Sequence, residues 1–261
     1  MKAIVVGNGP SLREHLRLGH FDLLAQSNVH SFAMNLIDLL YEPNPAEGLP
    51  GTAWRPTYYV WMEYVGYSRG HQPRSRLETY DRVLDFHILP DVERCFIGYR
   101  FKSDLEKRSI VRSLPTLPKF RDPTDKLLWM EGCATYHGVQ VDSHRKPDDW
   151  HLPIPCVYGG TMNTVLSLSF MLGYDDVAVI GCDLGIRAPD GKVDFNHFDP
   201  TYHTFLDGQF EKQDGTLEHV HSIARKNFER VGHRIVNAGI GGLLTAYDRM
   251  EFKEWLDDRL V

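Results

Sequence analysis

The 261-residue sequence predicts an α/β fold, a mostly parallel sheet with helices on both faces, on three observations. Ala3 to Val6 is apolar at every position, the pattern of an inner strand covered on each side. It runs straight into Gly7, Asn8, Gly9, Pro10 and Ser11, a glycine turn that opens a helix. The stretch after Gly159 reads as a helix that is apolar nearly all round, which only a buried position tolerates, and Asp176 to Asp183 then forms a second central strand.

In chain order, Gly7 and Gly9 permit a tight turn and a close backbone approach, and Pro10 suits the first helical turn, where its missing N–H costs nothing. His30 to Asn35 is the second strand, ending in a polar residue, and Pro56 to Met62 is a third, aromatic and β-branched. Glu42 to Arg55, with three prolines and two glycines, is the loop between them. Phe86 to Leu89 and Cys95 to Gly98 are short apolar pieces that suit further strands. Arg100 to Pro155 is rich in charge and proline without periodicity, and no element is placed there. Gly173 is the expected C-cap of the buried helix. Leu184 to Leu217 is long enough for a lid. Glu218 to Val231 sets Val220, Ile223, Ala224, Phe228 and Val231 on one helical face. His233 to Asn237 is a last short strand, Ala238 to Gly242 is glycine-rich, and Glu251 to Leu260 is an amphipathic helix. The chain therefore reads as one domain, 1–261, with an irregular insertion at about 100–155 and a lid at about 184–217.

Composition narrows the function. With 42% hydrophobic and 25% charged residues the chain can bury a full core. A net charge of −6 and a pI near 6.1 argue against a nucleic-acid partner. The absence of a long apolar run and of a basic leader predicts no transmembrane segment and a cytoplasmic location. Cys95, Cys133, Cys156 and Cys182 are widely spaced, which suits reduced thiols better than a zinc site or disulfides.

The polar residues suggest a ligand crevice. Ligands of open α/β sheets bind beyond the carboxyl ends of the strands. Asn8, Asn35 and Asp183 each end a predicted strand, and Gly159, Gly160 and Thr161 begin a helix. Ser11 adds a hydroxyl near helix-start N–H groups, which favour anions. Asp183 suits either a divalent cation held through substrate phosphates or a helix cap. The turn is neither G-x-G-x-x-G nor a P-loop. His197, His203, His219, His221 and His233 crowd one region, and histidine is a natural general base near neutral pH. No H-x-x-x-H with a nearby carboxylate marks a zinc site, so no metal is expected.

Four segments in order, VVGNGPSL, GGTMNTVLSLSFMLGYDDVAVIGCDL, NHFDPTY and ARKNFERVGHRIVNAGIGGLL, resemble the 6-hydroxymethylpterin diphosphokinase-like family, which includes the flagellin-modifying motility accessory factors. The same order is similar to that of bacterial sialyltransferases that use CMP-activated sialic acid. This resemblance covers Met1 to Asn35 and Gly159 to Leu244. It implies a Rossmann-like, GT-A-like nucleotide domain with a lid, and transfer of a sugar such as a nonulosonic acid from a CMP-type donor to a glycan or other hydroxyl acceptor, without a cofactor. By position, Asn8, Gly9 and Ser11, on the donor-binding turn that Gly7 and Pro10 shape, would hold the nucleotide phosphate or ribose, and Asn35 the cytidine portion. Gly159, Gly160 and Thr161 would approach the donor sugar and phosphate, with Asp183 and Asn237 nearby. His219 or His221 would be the base, Tyr202 and His203 would stand in for the residues that steady the leaving phosphate, and His197 is a further catalytic candidate in the lid. The sequence departs from the sialyltransferases in lacking their two tyrosines after the strand that ends at Asp183. The alternatives are a Mg²⁺-dependent pterin diphosphokinase and a non-catalytic nucleotide-binding protein; an oligomer is compatible with all three.

Overall fold

A computed structural model describes residues 1–61, 94–98, 127–130, 161–187, 191, 193–194, 197–199 and 216–258. Among them, seven strands form one sheet: β1 (Lys2–Val6), β2 (His30–Met34), β3 (Tyr58–Trp61), β4 (Arg94–Gly98), β5 (Leu127–Met130), β6 (Asp176–Ile180) and β9 (Arg234–Asn237). Their order is β5-β4-β3-β2-β1-β6-β9, and every neighbouring pair is parallel. A separate antiparallel ribbon joins β7 (Ile186–Arg187) to β8 (Val193–Asp194). The helices are α1 (Leu12–Arg17), α2 (His20–Gln26), α3 (Thr161–Met171), α4 (Thr216–Arg230) and α5 (Phe252–Asp257).

The pleat of β1 explains why both faces are covered. Ile4 and Val6 point into a cluster with Leu12 and Leu16 of α1, Phe21 and Leu24 of α2, and Phe252 and Trp255 of α5. Ala3 and Val5 point the other way, onto Val165, Leu166 and Leu168 of α3 and Val220, Ala224 and Phe228 of α4. Each large apolar side chain buried in this way contributes about 1.5–3 kcal/mol. The expected α/β architecture, with its mostly parallel sheet, is the one observed.

Several boundaries differ from the sequence reading for local reasons. β2 stops at Met34 because Asn35 is left-handed, with φ 54°. β6 stops at Ile180 because Gly181 turns the chain at φ 63°, so Asp183 arrives on a turn and not on the strand itself. The helix after the glycine turn is two short helices, broken at Gly19 with φ 70°. Gly173, with φ 83°, follows α3 as expected. The stretch where no element was placed contributes strand β5. Phe86 to Leu89 lies outside the described residues.

Candidate functional site

Strand order reverses between β1 and β6, because β2 to β5 build outward from β1 on one side while β6 and β9 lie on the other. Such a switch point is where open parallel sheets place ligands. Here it is tightly closed at the backbone. The Gly7 N–H donates to the Ile180 carbonyl at 2.8 Å, and the Gly9 N–H to the Gly181 carbonyl at 2.8 Å. A Cβ at Gly7 would collide with the Gly181 carbonyl; one at Gly9 would collide with the Asp183 carboxylate and lie 2.8 Å from the Gly181 oxygen. The close approach reserved for a ligand in the sequence reading is therefore made to the protein's own β6 exit.

Asp183 closes the turn further. Its Oδ2 accepts the Ser11 N–H at 2.8 Å, while its carbonyl accepts N–H groups from Leu243 at 2.7 Å and Leu244 at 3.2 Å. The expectation of an open helix-start N–H at Ser11 is thus corrected: a carboxylate already fills that position. Of the two roles considered for Asp183, this contact is the capping one. Leu184, next in the chain, is left-handed with φ 52°. Asn35 and Leu184 are non-glycine residues in this conformation, which costs energy and clusters at ligand sites.

Around this turn lie buried polar atoms without partners. Asn8 donates through Nδ2 to the Met34 carbonyl at 3.3 Å, leaving its Oδ1 unpaired. Asn35 is held through its backbone, its N–H on the Val60 carbonyl at 3.3 Å and its own carbonyl accepting from the Tyr59 hydroxyl at 2.8 Å. Its Oδ1 is buried and unpaired, as is the Ser11 hydroxyl. Since α3 leads into β6, which runs parallel to β1, α3 starts at this same carboxyl edge. Thr161 is buried there. Two residues that sequence reasoning missed follow it: Asn163 and Thr164 are both fully buried, and the Asn163 amide and the Thr164 hydroxyl have no partner. The signal was available as an Asn-Thr pair inside a helix otherwise built of apolar and small residues. Ser11, Asn35 and Thr161 therefore share one edge of the sheet, although α1 and α3 cover opposite faces.

Asn237, at the end of β9, spends its amide within the protein. Its Oδ1 accepts the Gly239 N–H at 2.9 Å and its Nδ2 donates to the Leu244 carbonyl at 3.1 Å, so it shapes the glycine-rich loop around Asp183. The expected lid is anchored where it is described. Phe198 is buried against the α1 face, its N–H donating to the Asn8 carbonyl at 2.9 Å while Arg13 Nε donates to its carbonyl at 2.6 Å. That bond brings His197 beside the glycine turn. Gly159, Gly160, Tyr202 and His203 lie outside the described residues.

The paired histidines of α4 part company. His219 is exposed, whereas His221 is 1% exposed, two residues on and so on the opposite side of the helix. The His221 Nδ1 lies 2.8 Å from the buried Tyr247 hydroxyl. Burial lowers the His221 pKa to about 3, and it raises both the Tyr247 hydroxyl and the Cys182 thiol. His233 stands just before β9 at the amino edge, far from the others. Among the described residues no group of three His, Cys, Asp or Glu is arranged to hold a metal ion, and no helix is long and apolar enough to cross a membrane.

Fold and edge together define a doubly wound parallel α/β protein with a polar switch point. No family model matches the sequence, and no curated protein does. A solved structure with which the chain superposes is that of a Maf glycosyltransferase from Magnetospirillum magneticum AMB-1, at 13% identity and a TM-score of 0.49, covering 97% of this chain and 34% of that one. The chain thus spans about a third of that protein's length.

Proposed function

We propose that the protein is a glycosyltransferase that moves a sugar, a nonulosonic acid on the CMP-linked reading, from a nucleotide donor to an acceptor hydroxyl. One observation carries this: the Asn8, Ser11, Asn35, Asn163 and Thr164 side chains bury unpaired polar atoms at the carboxyl edge of the sheet. Each such atom costs about 1–3 kcal/mol unless something bonds to it. A ligand dense in hydroxyl, amide and phosphate groups answers that need, and the four-segment resemblance to CMP-dependent sialyltransferases supplies its class.

The donor phosphate is not placed on the Ser11 N–H, where the Asp183 carboxylate would repel it. It belongs with the side chains of Asn8 and Ser11 and with Thr161, while Asn35 takes the base and Gly159 and Gly160 let the donor approach. In the reaction a histidine takes the acceptor proton, the acceptor oxygen bonds to the anomeric carbon, and the bond from that carbon to the phosphate oxygen breaks. The nucleotide leaves with the electron pair. Tyr202 and His203 are the candidates to steady it. The cytoplasm is the compartment this reading implies.

Thermal-shift measurements with CMP, CDP, UDP, GDP and ATP, each with and without Mg²⁺, test it. CMP at about a hundred times its dissociation constant should stabilise the fold by about 2.7 kcal/mol, a rise of several degrees, and should do so without Mg²⁺. A response to ATP with Mg²⁺ alone would favour the pterin diphosphokinase, and CMP binding without donor turnover a non-catalytic binder. Indifference to every nucleotide would sink the reading.

A further inference from the structure

We propose that Tyr247 holds His221 as the tautomer protonated on Nε2, so that His221 is a hydrogen-bond donor and not the base. The argument starts at the phenol. Tyr247 is 3% exposed, its hydroxyl lies 2.8 Å from the His221 Nδ1, and among the described residues its O–H has no other acceptor. A buried hydroxyl pointed at nothing costs about 1–3 kcal/mol, so the O–H points at Nδ1 and uses its lone pair. The two rings meet edge-on at 5.4 Å and 85°, a packing that resists a ring flip putting Cδ2 in the place of Nδ1. A neutral imidazole carries one proton; with Nδ1 accepting, that proton is on Nε2. Burial keeps the ring neutral, its pKa held down to about 3.

The pair lies close to the switch point. Tyr247 comes three residues after Leu244, whose N–H bonds the Asp183 carbonyl, and it shares a buried cluster with Cys182, whose sulfur lies 3.0 Å from where a Gly7 Cβ would be. An imidazole N–H fixed there suits a phosphate or sugar oxygen. Charge developing on a leaving phosphate is steadied by such a neutral donor without a full positive charge having to be buried. This consequence rests on the nucleotide reading above, but the tautomer does not. Within that reading His221 is not the base, and Tyr247 is a positioning residue.

The test is a long-range ¹H–¹⁵N spectrum of the full chain labelled at histidine, recorded from pH 5 to 8, with His221 assigned by its contacts to the Tyr247 ring protons. The expected result is a protonated Nε2 and a bare Nδ1 throughout, without titration. In Tyr247→Phe the population should move toward the other tautomer, with circular dichroism reporting the fold. A proton on Nδ1 in the unsubstituted protein, or a ring that titrates in this range, would overturn the proposal even if the variant fails to fold. CMP added to the same sample separates the two readings. A moved Nε2 resonance supports the donor role, an unmoved one with CMP bound overturns it, and a failure of CMP to bind removes the nucleotide reading while the tautomer stands decided.

Discussion

Gly9 shows what a single missing methyl can protect. A Cβ there meets the carboxylate that caps Ser11 and the Gly181 carbonyl at 2.8 Å, and neither is a flexible end that can move aside cheaply. Gly9→Ala is expected to lower stability by about 1–3 kcal/mol, the usual cost of overpacking, read as a lower urea midpoint with an unchanged slope. Unaltered stability would mean that the turn and the β6 exit are not packed as described. The sequence announced both glycines, since a strand ending in Gly-x-Gly is visible without coordinates. Their partners were not visible, because Asp183 lies 172 residues beyond Ser11 along the chain, with Gly181 just before it. The same limit hid the difference between His219 and His221, whose fates depend on which side of α4 meets Tyr247.

At the scale of elements, α1, α2 and α5 are joined by a buried histidine pair. His15 and His20 approach Nδ1 to Nδ1 at 2.9 Å, and His20 stacks on Phe252 with centroids 4.3 Å apart. Desolvation, then the charge of His20, lowers the His15 pKa from 6.5 to about 3. His20 is also lowered, by burial and then Lys253, with Glu251 and Glu14 acting in the opposite sense. In the folded state His15 and His221 thus stay neutral down to about pH 3, whereas the unfolded chain binds their protons near pH 6.5. Their stabilising contribution is complete above pH 6.5 and is lost as pH falls below it, at up to about 1.4 kcal/mol per pH unit for each histidine. Urea midpoints at pH 7.5 and 5 should show this fall, and His15→Gln should flatten it; a flat profile in the unsubstituted protein would contradict it. Of these elements the sequence indicated the two outer helices of the contact. The break at Gly19 escaped it, since a lone glycine in a helical pattern is often tolerated.

Across the whole molecule, the sheet is tied together at the edge opposite the site. Asp176, fully buried on β6, accepts two hydrogen bonds from Arg234 of β9 at 2.9 and 2.7 Å and one from the Trp255 indole of α5 at 3.0 Å. Lys2 of β1 lies 3.9 Å from it, and Arg234 also reaches Asp258 at 2.8 Å. Arg234→Met is expected to cost about 3–5 kcal/mol, because it strands a buried carboxylate. Adding Asp176→Asn should restore part of that loss, and a single variant as stable as the parent would show that Lys2 and Trp255 suffice. By itself the sequence determined the α/β class, the inner strands β1 and β6, the buried α3 and the polar residues at the strand ends, since periodicity and glycine turns act over a few residues. Only the tertiary structure decided that β6 lies beside β1, that β5 extends the sheet, that Asp183 fills the start of α1, and that Asn163 and Thr164 bury unpaired polar groups. These are meetings of residues distant along the chain, and local pattern carries no record of which of them close.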